Sequence, residues 1–285
     1  MLAFGLFFIT SMLLLTSQLG FPLRQCVGIA YIKGEITVDG TRPTLIDEGS
    51  AGSEEIAERI RNLNKRPDIK AVVFVIDSPG GSVVASKEIY NAIMDLSKPK
   101  VAYIREIGTS GAYLVSLAAD EIVANPDSLT GSIGVISIIM NYKELANKLG
   151  INVTTIKTGQ HKDFFSPTKE VDEEEIAIMQ SIINETFKEF VDLVKERRKG
   201  KLKLYKINEI TDGRIFSGRQ AYKLGLVDVL GDKDKAIDEA KKLAKDENLD
   251  VCEIDLSGNS PPSLFSGIFN LFRPLYESRV GIYLK

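Results

Sequence analysis

The chain opens on an apolar stretch that is free of charged side chains. Residues 1–23 consist mainly of Leu, Phe, Ile, Met and small residues. At a rise of 1.5 Å per residue, such a stretch is about long enough to cross a ~30 Å hydrocarbon core. A cleaved signal peptide is the competing interpretation, but it would carry a basic leading segment and a cleavage motif of small residues, and neither is visible. We therefore expect a retained transmembrane anchor at 1–23.

Strand-like and helix-like patterns alternate after this stretch. A first strand is expected at 27–32, and Ser53 is expected to cap a helix. The run 71–76 is apolar on both faces, as in a buried parallel strand. Glycine turns at 77–81 and 108–111 each follow a strand and precede a helical pattern. This alternation predicts an α/β fold with a parallel sheet flanked by helices.

The rest of the chain continues this pattern up to a break near residue 257. Further strands are expected at 101–104, 121–124, 134–140, 153–157 and 251–256, and further helices at 89–96, 111–119, 142–149, 171–198, 221–226 and 234–246. We therefore assign 24–256 to one domain. The segment 257–285 begins with a Ser/Gly/Pro-rich linker and then becomes apolar. It is expected to pack either on its own domain or on a neighbouring subunit.

Composition excludes several classes of function. The net charge is −3 and the basic residues are scattered, which gives no support to nucleic-acid binding. Cys26 and Cys252 are too few for a disulfide framework, and with the single histidine, His161, they form no plausible metal site. Lipidation of Cys26 is disfavoured because Arg24 and Gln25 stand where small residues are required.

Ser110 is the strongest candidate nucleophile. Gly108 and Gly111 flank it and permit a tight strand-to-helix turn. The N–H groups at a helix start favour developing negative charge. The alternative for Ser110 is a plain helix cap. The Gly80–Gly81 turn favours catalysis, because N–H groups of Gly81 and Gly111 together would bind an oxyanion.

Lys162 is the candidate general base. It lies beside two aromatic residues in a non-helical segment. A lysine acts as a base near neutral pH only if burial lowers its pKa from about 10.4, and a solvated surface charge is the alternative. A Ser-His-Asp triad would have to use His161, which we interpret as a structural neighbour of Lys162.

Five ordered motifs together resemble the signal peptide peptidase A (protease IV) family of serine peptidases. The motifs are Asp77-Ser-Pro-Gly-Gly-Ser82, Gly108-Thr-Ser-Gly-Ala-Tyr113, Thr130-Gly-Ser-Ile-Gly-Val135, Gly159-Gln-His-Lys-Asp163 with Ser166-Pro167, and Gly213-Arg-Ile-Phe-Ser-Gly218 with Gly225-Leu-Val-Asp228. Lys162 follows Ser110 by 52 positions, similar to the spacing in the short, anchored members. The matching part of the chain runs from about residue 27 to 256.

The resemblance implies a crotonase/Clp-protease-like superfold and a Ser-Lys dyad. Ser110 would be the nucleophile, Lys162 the base, Gly81 and Gly111 the oxyanion hole, and Ser132 the residue that orients the lysine. The resemblance also implies a homo-oligomeric ring whose subunits complete each other's sites, peptide substrates such as cleaved signal peptides, and no cofactor or metal.

The location is inferred partly against the local charges. Arg24 and Lys33 follow the predicted span and favour a cytoplasmic body. The resemblance implies a body on the extracytoplasmic side of the cell membrane, and we follow it. Three alternatives stay open. One is a membrane protease of the stomatin-linked relatives, disfavoured by their shorter serine-to-lysine spacing, and another is a crotonase-like acyl-thioester enzyme. The third is a catalytically silent assembly module, supported only by the apolar segment that follows residue 257.

Overall fold

The computed structural model describes residues 24–40 and 51–257. The strands are β1 (Cys26–Lys33), β2 (Ile69–Ser78), β3 (Lys100–Thr109), β4 (Glu121–Ala124), β5 (Leu129–Gly131), β6 (Ile215–Ser217), β7 (Val229–Leu230) and β8 (Asp250–Ile254). The α-helices are α1 (Ser53–Asn62), α2 (Val83–Met94), α3 (Gly111–Ser116), α4 (Lys143–Lys148), α5 (Glu173–Arg197), α6 (Ile207–Ile210), α7 (Gly218–Leu224) and α8 (Lys233–Ala244).

These strands form one mixed sheet in which β3 branches. The order is β6-β5-β3-β2-β1-β8, and β4 pairs with the first half of β3 and with β7. Every pairing is parallel except that of β5 with β6. The second half of β3 leaves β4 and pairs with β5. This branch creates an open edge at the carboxyl ends of β2 and β3, where α/β proteins place their sites.

The apolar run in β2 is buried on both faces of the sheet. Val72, Phe74 and Ile76 belong to one core cluster, while Val73 and Val75 belong to a second. Helices α1, α2 and α3 contribute to the first cluster, and α8 covers the second. The predicted α/β fold with a parallel sheet flanked by helices is confirmed in this arrangement.

Two predicted strands and one predicted cap are wrong. The segments 134–140 and 153–157 contain no regular structure, and most of their side chains are exposed. Their apolar residues therefore mark an exposed surface of the protomer. Ser53 is the first residue of α1 rather than its cap, and its hydroxyl donates a hydrogen bond to Glu88.

A disulfide joins Cys26 to Cys252, with 5.8 Å between their Cα atoms. The cysteine count gave no indication of this bond. The two residues are 226 positions apart in sequence and become neighbours only because β8 pairs with β1. The bond ties the last strand of the described domain to its first.

The membrane-anchor prediction for 1–23 lies outside the described residues, as does the tail from 258 onward. Within 24–40 and 51–257, no helix combines the length and the apolar character needed to cross a bilayer. The domain limits at 24 and 256 stay a prediction.

Candidate active site

Two glycine turns pack against each other at the carboxyl ends of β2 and β3. The Gly80 N–H donates to Ser78 Oγ (3.1 Å), which shapes the first turn. Thr109 Oγ1 donates to the Pro79 carbonyl (3.0 Å), which joins the second turn to the first. Because both turns extend from adjacent, hydrogen-bonded parallel strands, their relative position is set by the sheet.

Ser110 occupies a backbone conformation that is unusual for a residue with a side chain. Its φ is 54° and its ψ is −123°, and its N–H donates to the Gly131 carbonyl (2.9 Å). Such a conformation costs about 1–3 kcal/mol and is found most often at functional sites. The Ser110 hydroxyl makes no hydrogen bond with any described residue and makes no cap to α3. Ser110 therefore occupies the N-cap position of α3, but its side chain does not cap the helix.

Two backbone N–H groups beside Ser110 lack acceptors. Neither Gly81 N–H nor Gly111 N–H donates a hydrogen bond within residues 24–40 and 51–257. The two glycines are close together, since a Cβ placed on Gly111 would lie 3.4 Å from Gly81 N. Donors without partners at a protected site are expected to find one in a ligand.

Both positions exclude a side chain. A Cβ on Gly81 would lie 2.1 Å from the Ile36 carbonyl oxygen, and one on Gly111 would lie 2.3 Å from Ser86 Oγ. Ser86 is fully buried on α2, and its hydroxyl donates to the Ser82 carbonyl (2.8 Å). Sequence reasoning missed Ser86, although its place on the apolar face of α2 with Ile89 was a signal.

A cleft of about 350 Å³ extends from Ser110 between α2 and α5. Gly81, Ser110 and Gly111 line it at the turns. Its apolar walls come from Val83, Tyr90, Leu114, Phe190 and Leu193. The Lys87–Glu189 ion pair connects the two helices beside the cleft. The arrangement presents a serine hydroxyl and two free N–H donors to an extended apolar groove.

Buried polar contacts hold the Ser110 helix and the cleft wall in place. Tyr113 on α3 is fully buried, and its hydroxyl donates to the Leu226 carbonyl (2.8 Å); burial raises the pKa of this phenol. Arg198, which follows α5, pairs with Asp228 at 2.7 Å and donates to the Gly225 carbonyl. Burial alone would raise the pKa of Asp228, but hydrogen bonds from Arg198 and Lys201 keep it below its ordinary value.

Ser132 lies next to the residue that holds Ser110. The Gly131 carbonyl accepts the Ser110 N–H, and the Ser132 N–H donates to the Arg214 carbonyl (2.8 Å). Ser132 is half-buried with a positive φ of 51°. Its hydroxyl has no hydrogen-bond partner among the described residues.

Lys162 is not brought to Ser110 within the protomer. Its side chain is exposed, pairs with no described residue, and does not line the cleft. Its segment contacts the first turn of α5, where Lys169 pairs with Glu175. The cleft-lining part of α5 begins at Thr186, about 16 Å further along the helix axis. The burial that the sequence argument required for a lysine base is absent from this protomer.

Comparison with known proteins identifies the family. Residues 92–247 match the model of peptidase family S49, and residues 45–127 match the Clp protease model. The chain belongs to peptidase family S49. The S49 match includes Ser110, Ser132 and Lys162, whereas Gly81 lies in the Clp match alone.

Several S49-type relatives share most of the described domain. A putative protease of Methanocaldococcus jannaschii is 42% identical over 212 residues, which cover 74% of this chain and 66% of the relative. A putative signal peptide peptidase SppA of Enterococcus faecium is 31% identical over 221 residues, covering 76% and 64%. The resemblance to the signal peptide peptidase A family is thereby confirmed. The match spans slightly less than two thirds of each of these relatives.

A solved structure shares the fold at low identity. A membrane-bound stomatin-specific protease, 1510-N, was solved as a lysine-to-alanine mutant in complex with a substrate peptide. It is 16% identical, with a TM-score of 0.51, and the alignment covers 88% of this chain and 99% of that one. Together with the Clp protease match, this likeness supports the Clp-protease-like fold.

Proposed function

We propose that this S49 peptidase is a membrane-anchored serine endopeptidase in which Ser110 is the nucleophile and Lys162 the general base. The observation that carries the proposal is the pair of acceptor-free N–H groups, Gly81 and Gly111, beside a strained serine at the head of an apolar cleft. Preorganised donors of this kind stabilise the oxyanion of an acyl-transfer intermediate.

The reaction follows from these positions. Ser110 Oγ attacks the peptide carbonyl while its proton passes to neutral Lys162 Nζ. The carbonyl oxygen becomes an oxyanion and accepts hydrogen bonds from Gly81 and Gly111. Lys162 then gives the proton to the leaving amine, and a water molecule hydrolyses the acyl-enzyme by the same route. The Ser132 hydroxyl would accept a hydrogen bond from the Lys162 ammonium, or donate one to the neutral amine, and so orient the side chain.

In this proposal, Lys162 of one subunit reaches Ser110 of a neighbouring subunit when the subunits assemble. Because Lys162 is exposed and remote from its own cleft, a neighbouring subunit is the natural recipient. The segment after Ser132 supports this, since Ile136, Ile138 and Ile156 are 82%, 79% and 96% exposed. Apolar side chains so exposed mark surfaces that another chain covers. The homo-oligomeric ring implied by the family resemblance would bury this surface and desolvate the lysine.

Hydrophobic peptides are the proposed substrates, signal-peptide remnants in particular. The cleft walls favour apolar side chains, and a relative carries the name signal peptide peptidase SppA. The location proposed is the cell membrane with an extracytoplasmic body. The Cys26–Cys252 disulfide supports that side, because disulfides persist in oxidising compartments.

Subunit mixing tests the mechanism. Ser110→Ala and Lys162→Ala should each abolish hydrolysis of an apolar peptide ester, while Lys223→Ala, at an exposed lysine on α7, should not. If the dyad forms between subunits, mixing the two inactive variants restores some sites. Activity retained by either single variant would refute the dyad. Failure of mixtures to regain activity after verified subunit exchange would refute its assembly across subunits.

A further inference from the structure

The only histidine of the chain lies in a cluster of charged residues beside Lys162. His161 Nε2 is 3.7 Å from Glu174 Oε1, and His161 Nδ1 is 3.7 Å from Glu175 Oε1. Both carboxylates belong to the first turn of α5. His161 Nδ1 is buried and makes no hydrogen bond within the described residues. Each ring nitrogen thus faces a carboxylate at slightly more than hydrogen-bonding distance.

The same cluster attaches the Lys162 segment to α5. Lys169 Nζ contacts Glu175 Oε1 (2.5 Å) and Asp163 Oδ1 (3.0 Å). Lys157 Nζ also contacts Asp163 Oδ1 (2.6 Å). These contacts lower the pKa of Asp163 to about 2. Asp163 directly follows Lys162, so the cluster fixes the backbone that carries the proposed base.

Charge balance in the cluster depends on the histidine. The carboxylates are Asp163, Glu174 and Glu175, and the permanent cations are Lys157 and Lys169. Gln160 adds a neutral amide that donates to Glu174 (3.1 Å). The Asp172 side chain, which caps α5, accepts a hydrogen bond from the Glu174 N–H. Asp172 and Glu173 at the same helix start add further negative charge, so the carboxylates outnumber the lysines of the cluster as long as His161 is neutral.

We propose that His161 is a positioning residue for Lys162, and that its protonated imidazolium fastens the 157–169 segment to the first turn of α5. The protonated ring has two N–H donors, one for each facing carboxylate, whereas the neutral ring has a single donor and leaves the cluster negative. Histidine changes its charge between about pH 5 and 8. Attachment of the segment is consequently strongest at the acidic end of this range and weakens as pH rises.

The consequence for catalysis rests on the proposed function of Lys162. Lysine must lose its proton to act as a base, which favours higher pH, while the segment that carries it is best held at lower pH. The two requirements oppose each other and narrow the range of pH in which the site is productive. A constant cation at position 161 would remove the second requirement.

Hydrogen exchange of the full-length protein tests the positioning role without relying on activity. After correction for intrinsic exchange, amides of 159–166 should be about threefold better protected near pH 5.5 than near pH 7.5, the effect of one partly exposed ion pair. His161→Gln should give the weaker protection at both pH values, and His161→Lys the stronger at both. Amides of β2 (Ile69–Ser78) report global stability and should not change among the variants.

The outcomes separate this proposal from the proposed function. If wild type and His161→Gln show the same pH profile, the positioning role is refuted, even when Lys162→Ala is inactive. If Lys162→Ala keeps its activity, the dyad is refuted while the exchange result stands. If the exchange result and the dyad both hold, the kcat of His161→Lys should exceed that of His161→Gln about threefold near pH 7.5, at similar KM. Equal kcat values would overturn the catalytic consequence.

Discussion

Gly111→Ala is the sharpest test of the proposed oxyanion site. The added Cβ would lie 2.3 Å from Ser86 Oγ and 3.2 Å from Ser86 Cβ, both inside ordinary contact. Ser86 is fully buried, so it has little room to yield. The Gly111 N–H must therefore move, together with Ser110 beside it. Loss of one oxyanion donor lowers kcat by about 10²–10³-fold, equivalent to about 3–4 kcal/mol of transition-state stabilisation.

The assay compares variants by kcat/KM on an apolar peptide ester and by labelling with a serine-directed acylating probe. Gly134→Ala is the matched control in the same cleft, because its Cβ would meet only Gly213 Cα at 3.5 Å. It should lose far less activity than Gly111→Ala. Thermal unfolding of each variant distinguishes a displaced donor from a destabilised fold.

A double variant tests whether the activity loss of Gly111→Ala comes from the steric clash with Ser86. Ser86→Ala removes the 2.3 Å contact and leaves the 3.2 Å contact. Gly111→Ala combined with Ser86→Ala should therefore regain about tenfold over Gly111→Ala alone, as expected for coupled neighbours. Wild-type activity in Gly111→Ala would refute the oxyanion assignment. No recovery in the double variant would refute the steric explanation.

Three further predictions concern stability. Arg198→Met should lower the free energy of unfolding by about 3–5 kcal/mol, because it leaves Asp228 buried without its main partner. Lys201→Met, at the exposed side of the same carboxylate, should lower it by at most about 1 kcal/mol. Chemical denaturation measures both free energies. The pKa of Asp228 is lowered in the folded state. The stabilisation that its carboxylate contributes to the fold is therefore complete above about pH 4 and is lost as the pH falls below that value. Acid unfolding monitored by fluorescence measures this loss. Replacing both disulfide cysteines with serine should lower the free energy of unfolding by about 2–5 kcal/mol. Reductant should lower the Tm of the wild type only and should release two titratable thiols, Cys26 and Cys252.

Sequence patterns predicted most of the sheet and both glycine turns. The run at 71–76 could be interpreted correctly because a parallel strand buried on two faces leaves a continuous apolar signal. The Ser110 turn was predicted for a similar reason, since it needs glycines at fixed positions. The candidate residues that belong to the turns were therefore accessible from local sequence, and their catalytic roles stay a prediction.

Features that depend on distant partners could not be predicted in this way. The disulfide needs β8 to return beside β1, which no local pattern indicates. The segments 134–140 and 153–157 have the apolar residues typical of strands, yet no described strand pairs with them. Their apolar side chains form an exposed surface instead.

The division of the proposed Ser110–Lys162 site between two kinds of structure has a physical logic. The Ser110 and Gly81 turns extend from two paired strands whose apolar residues lie in the core, and such a base can support the strained backbone of Ser110. Lys162 is carried by an exposed segment that is held by the charged cluster at α5 and by hydrogen bonds to residues 141–142. A lysine left in water keeps its proton and is inactive as a base. A protomer built in this way would be inert until a neighbour buries the lysine, so activity would depend on protein concentration. Dilution below the assembly threshold should abolish hydrolysis while the described fold persists; a fully active monomer would contradict this dependence.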